Sequence, residues 1–197
     1  MINKLIDYIL LEADVYKRPL RKRSLLLLLC TGADLVIMLD YSIKHGFGFF
    51  NNVYSIIMTI VLVFFCGVFS MVVYSWPTAD LSASIGKASG KMNITVKRMK
   101  VAKGFLFAVI YTGAVSALLR TLFISTMDYN TARLASIILS ILASVWAGAM
   151  ITRCIISVFE ETAKKKLIVY LLASVWYYII IAQILGFIIR SAYSIIL

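Results

Sequence analysis

Asp34 is the residue whose chemistry needs explaining first, a carboxylate ten residues into an apolar run that starts at Leu25. At 1.5 Å per residue it lies about 15 Å deep, near the middle of a hydrocarbon core about 30 Å thick. A charge at that depth costs about 2.5–3.5 kcal/mol even on lenient insertion scales, so it must face protein or water. Hydroxyls expected at similar depth are Thr112, with Tyr111 and Ser116, on one later run, and Ser144, with Ser140, on the next. Asp34, Thr112 and Ser144 are therefore a candidate intramembrane polar site. It reads either as an ion or proton site or as an inward-facing, protonated Asp34 hydrogen-bonded to those hydroxyls. Without a second charge expected at mid-depth, the structural role is preferred. Asp40 has an easier account, because Arg120 and Arg133 both fall near the outer boundary and either could pair with it.

Other reactive groups do not assemble by spacing. His45 is the single histidine, so no HExxH, Ser-His-Asp or Cys-His arrangement is supported. Glu160 and Glu161 followed by Lys165 faintly resemble the paired glutamates of intramembrane CAAX-type proteases, but the histidine partners are missing. Asp34 and Asp40 are six residues apart, about 240° around a helix, and cannot face each other as an aspartyl dyad would. Cys30, Cys66 and Cys154 share no C-x-x-C spacing and read as buried, reduced thiols. The sequence thus predicts no enzyme, no cofactor and no metal. Asn93-Ile94-Thr95 fits the glycosylation pattern but falls in a loop expected to be cytoplasmic, where that modification does not occur.

The elements that must position these residues follow from composition. The chain is 62% hydrophobic with a mean hydropathy of +0.95, more apolar surface than one soluble domain of 197 residues can hide. Charged residues are 15% of the chain and cluster between apolar runs. Runs near the roughly 20 residues a membrane helix needs occupy 25–42, 53–76, 101–125, 134–158 and 167–189. Lipid supplies no backbone hydrogen-bond partners, so each must be helical despite its β-branched residues. The expectation is all-α: a single membrane domain, 1–197, of five transmembrane helices. Residues 1–23 form a cytoplasmic amphipathic N-terminus without a cleavable signal. There Ile2, Leu5, Ile6, Ile9 and Leu10 share one helical face, which suits either a helix in the membrane interface or one packed under the bundle.

Orientation follows from the basic residues, which accumulate in cytoplasmic loops. One side carries Lys4, Lys17, Arg18, Arg21, Lys22 and Arg23, then Lys87, Lys91, Lys97, Arg98, Lys100 and Lys103, then Arg153, Lys164, Lys165 and Lys166. The other carries Lys44, Arg120, Arg133 and Arg190. The N-terminus is therefore expected in the cytoplasm and the C-terminus outside, in the cell membrane if the source is prokaryotic. This distribution also accounts for the net charge of +11, since basic residues beside spans are drawn to anionic headgroups. Anionic lipid, met by Arg21, Lys22, Arg23, Lys97, Arg98, Lys100, Lys164, Lys165 and Lys166, is the expected partner, and nucleic acid is not. The longest loop, Pro77 to Lys100, is the best docking surface for a partner or lipid, and reads equally as a plain topogenic loop.

The clearest packing signal is Ser136, Ser140, Ser144 and Gly148, at four-residue spacing on the fourth run with Ala143 and Ala147 beside them. Small residues let membrane helices approach closely. The stripe predicts that this helix is the most enclosed of the bundle or lines a face for self-association or a membrane protein partner. Gly104 with Ala108 and Gly113 with Ala117 repeat the idea on the third run.

The order of these features resembles the Yip (Ypt-interacting protein) family of five-span membrane proteins, especially its shorter prokaryotic members. The likeness runs from Gly86 through the third run and, more closely, from Leu139 to Val175. There Trp146 sits mid-helix, a helix end follows at Ile155 to Glu161, and Lys164 to Leu167 opens a last span. The resemblance implies a non-enzymatic protein of membrane organisation or trafficking type. The alternative is a small transporter, a channel or the membrane subunit of a permease, using the polar site around Asp34. No internal repeat of the kind secondary transporters show is visible.

Overall fold

The structure, a computed structural model, describes residues 10–11, 13–17, 23–45, 52–86, 94–188 and 190–191. It is all-helical, with no strand among the described residues. The helices are α1 (Ala13–Lys17), α2 (Arg23–His45), α3 (Val53–Gly86), α4 (Ile94–Thr126) and α5 (Tyr129–Val158). A 3-10 segment, Glu160–Lys165, then leads into α6 (Lys166–Tyr178), which continues as a π-helical stretch over Ile179–Leu185.

Four helical stretches among the described residues are long and apolar enough to cross a membrane: Val53–Ile85, Ile94–Thr126, Tyr129–Val158 and Thr162–Ile188. They make this an integral membrane protein. The first predicted span is not among them. It lies on α2, where the apolar stretch among the described residues is Leu28–Leu39.

The second span was expected to end at Trp76, before Pro77, yet α3 continues through that proline to Gly86. Proline lacks the N–H that would bond the carbonyl four residues back, here that of Val73. The Trp176 indole N–H, from α6, donates to that carbonyl at 3.1 Å. The vacancy is filled from a neighbouring helix, and the backbone need not break. Most of the predicted loop is consequently helix, divided between the end of α3 and the start of α4. At 34 residues, α3 is about 50 Å long against a hydrocarbon core of about 30 Å, so its C-terminal turns can stand clear of the bilayer. There the Arg98 guanidinium, on the first turns of α4, donates to both Asp80 carboxylate oxygens, at 3.0 and 2.7 Å. Its charge also lies over the Trp76 ring, 5.2 Å from the centroid. This two-pronged contact fastens the last turns of α3 to the first turns of α4.

The core gathers around α4, which is packed by α1, α2, α3 and α5. A Cβ on Gly104 would stand 2.3 Å from the Cys154 Sγ of α5, and one on Gly113 would stand 2.6 Å from a Val36 methyl of α2. Glycine is required at both crossings. Phe105 of α4 stacks on Tyr74 of α3 at 4.3 Å, and Tyr177 of α6 closes edge-on against both rings. The Tyr74 hydroxyl donates to the Ala173 carbonyl at 3.0 Å, so this buried polar tip is paired across helices.

The expectation that the fourth span is the most enclosed is corrected by this arrangement. Along their most apolar stretches α4 is more deeply buried than α5. The small-residue stripe of α5 meets another helix tightly at Gly148, while Ser136, Ser140 and Ser144 stay partly accessible. The opposite side of α5 exposes Leu134, Ile137, Ile138, Ile141 and Leu142.

Candidate functional site

Two of the hydroxyls expected in a midplane polar site are satisfied locally. Gly32 and Val36 of α2 lie against Ile110 and Gly113 of α4, which sets the turn carrying Asp34 alongside Thr112. The Asp34 side chain is outside the described residues. Thr112 is buried, and its hydroxyl donates to the Ala108 carbonyl at 2.7 Å. The Ser144 hydroxyl donates to the Ser140 carbonyl at 2.9 Å. Each hydrogen is spent on its own helix, as is usual for Ser and Thr in membrane helices. Ser140 has a second role, accepting from the Arg120 guanidinium at 3.2 Å. Arg120 is only 2% exposed and lies between α4 and α5. Tyr111 meets Trp146 edge-on at 5.4 Å on the same pair of helices.

The basic clusters, by contrast, converge. Lys97 and Lys103 on α4 and Arg153 to Lys166 on α5 and beyond are far apart in sequence but share one end of the bundle. The Lys97 ammonium lies over the Phe159 ring, 4.7 Å from its centroid. The Lys103 ammonium donates to the Val15 carbonyl of α1, and Lys165 Nζ donates to the Ile85 carbonyl at 2.9 Å. Lys97, expected to face lipid or a partner, is instead buried at 7% exposure, because its stem and charge cover an aromatic ring. Arg98 is tied to Asp80, as described above, while Lys164, Lys165 and Lys166 are exposed and Lys100 is half-buried. Arg21 and Lys22 lie outside the described residues, and Arg23 is described only as the first residue of α2.

Beneath this end α1 is tucked against α4 and α5. Tyr16 is fully buried, and its hydroxyl donates to the Leu10 carbonyl at 2.8 Å. Burial, with the Cys154 thiol nearby, pushes this phenol well above its ordinary range. The amphipathic face of Ile2, Leu5, Ile6 and Ile9 lies outside the described residues.

Beside α1 the helices α5 and α6 separate. They touch at Gly148, where an added Cβ would stand 2.0 Å from Ser174 Oγ and 3.2 Å from its Cα. Toward the basic end they flank an open cleft of about 670 Å³. Its walls are Leu10, Ala149, Thr152, Ile156, Leu167 and Tyr170, and Arg153, Ser157, Glu160 and Lys166 complete the lining. The Tyr170 hydroxyl reaches within 3.5 Å of the Val145 carbonyl, so this ring ties α6 to α5 beside the apolar part. No pattern in the sequence marks this cleft. Its one legible sign is the run of basic residues at the start of the last span.

Among the described residues no group of three or more His, Cys, Asp or Glu is placed to hold a metal ion. No protein-family model, curated protein or solved structure matches the chain. The likeness to the Yip family therefore rests on the order of features in the sequence.

Proposed function

We propose that this chain is a non-enzymatic, membrane-organising scaffold of the kind the Yip resemblance implies. It crosses the membrane five times, with its N-terminus in the cytoplasm. α2 supplies the first crossing, since its 23 residues extend about 34 Å, enough for the hydrocarbon core. The observation that carries the reading is the convergence of the basic clusters on one end of the bundle. Some of those residues are consumed in holding α1, α3 and α4 together. Lys164, Lys165 and Lys166 remain exposed, and basic side chains so placed attract an anionic leaflet. The small-residue stripe of α5, with its half-accessible serines, offers a face for self-association.

One reconstitution tests this. The purified chain is inserted into vesicles with and without anionic lipid, and vesicle clustering or shape change is followed alongside ion flux. A shape or clustering effect that needs anionic lipid and comes without flux is expected. Selective flux with no effect on the vesicles would replace the scaffold by a small channel or transporter. A C-terminal reporter answering from the cytoplasm would remove both the orientation and the five-span topology.

A further inference from the structure

We infer that the cleft between α5 and α6 is a binding site for one anionic phospholipid, whose acyl chain lies along Ala149, Ile156, Leu167 and Tyr170 and whose phosphate is met by Arg153 and Lys166. The inference rests on the membrane reading above but goes further, to a discrete site of fixed stoichiometry. Three observations carry it. First, the volume of about 670 Å³ is open along one side, so a chain can enter laterally from the bilayer. Second, its lining is mostly apolar, while Arg153, Ser157, Glu160 and Lys166 lie on the stretches of α5 and α6 nearest the turn between them, so an apolar surface and a charged end occur together as they do in a phospholipid. Third, the rim carries two cations, Arg153 and Lys166, against one carboxylate, Glu160. A guanidinium has five N–H donors, so Arg153 can meet a phosphate while keeping its other contacts. Basic pockets between membrane helices are the sites that hold anionic headgroups. The close approach of α5 and α6 at Gly148 lies beside Ala149, at one end of this lining.

Native mass spectrometry of the chain released from nanodiscs of phosphatidylcholine with phosphatidylglycerol provides the test. The expected result is one phosphatidylglycerol retained per chain in preference to phosphatidylcholine. Lys166→Gln, at an exposed position, should weaken retention about fivefold, the factor corresponding to about 1 kcal/mol per basic side chain. Ala149→Phe, which fills the apolar part, should abolish retention while leaving the helical circular dichroism and thermal midpoint unchanged. Lys164→Gln, outside the lining, should leave it intact. Equal losses from Lys164→Gln and Lys166→Gln would overturn the site and leave only diffuse surface attraction, with the scaffold reading standing. Retention of both lipids alike would overturn the site's charge selectivity and with it the inference. Loss of the anionic-lipid effect on vesicles with the bound lipid still present would overturn the scaffold reading alone.

Discussion

Gly148→Ala probes the tightest glycine crossing among the described residues. The new methyl would lie 2.0 Å from Ser174 Oγ, 2.9 Å from its Cβ and 3.2 Å from its Cα. Rotating the hydroxyl away answers the first conflict. The other two involve atoms fixed to the α6 backbone, so α5 and α6 must part by several tenths of an ångström. Overpacking of this kind costs about 1–3 kcal/mol. Against it stands the better helix propensity of alanine, worth up to about 1 kcal/mol. The net expectation is a loss of about 1–2 kcal/mol, and a larger one for Gly148→Leu. Ser144→Leu, four residues along the same stripe at a half-accessible position, should cost less than either. Ser174 Oγ is buried and finds no hydrogen-bond partner among the described residues. Ser174→Ala should therefore be neutral or stabilising, because it removes an unsatisfied hydroxyl. In the Gly148→Ala background, Ser174→Gly should recover part of the loss by removing the 2.0 and 2.9 Å conflicts. Unfolding can be followed by titrating sodium dodecyl sulfate into mixed micelles and recording thiol labelling. Cys30, Cys66 and Cys154 are all buried and become reactive only as the bundle opens. If Gly148→Leu unfolds at the wild-type midpoint, α5 and α6 do not meet at this point and the packing scheme is refuted.

Trp176→Phe should cost about 1–3 kcal/mol by leaving the Val73 carbonyl without a donor, and most of that loss should vanish in a Pro77→Ala background, where the backbone N–H returns. Equal effects of Trp176→Phe in the two backgrounds, measured by the same unfolding titration, would show that the indole acts by bulk alone. Asp128 caps α5, its carboxylate accepting from the Thr131 N–H at 3.0 Å, and hydrogen bonding from the Thr131 side chain, then from this N–H, holds its pKa below the usual carboxylate value. A depressed carboxylate contributes stability that is present above its unfolded pKa and is lost as pH falls through the folded one. Stability should therefore decline on acidification below the ordinary carboxylate range, and Asp128→Asn, which caps without ionising, should flatten that part of the profile; an identical profile would remove Asp128 from the account.

The sequence by itself determined the solvent of this protein and hence its secondary structure. Apolar runs such as Leu134 to Val158 exceed the length that crosses hydrocarbon, and a backbone without water must bond to itself, so α5 could be drawn from residue types alone. The glycines at the α4 crossings were legible for the same reason, since a missing side chain in a membrane helix has few uses besides close approach. Helix ends were less legible. Pro77 predicted a break because proline's effect is local, whereas the donor that rescues Val73 comes from Trp176, some hundred residues later. The basic residues showed a similar division: that their clusters share one end of the bundle could be inferred from counting, but only packing decided that Lys97 covers Phe159 while Lys166 stays exposed. The stripe on α5 overstated enclosure because small residues permit a close neighbour without supplying one. A cleft is the space between two helices, set by where they touch and how steeply they diverge. That geometry depends on side chains from both helices together, and the tertiary structure decided it.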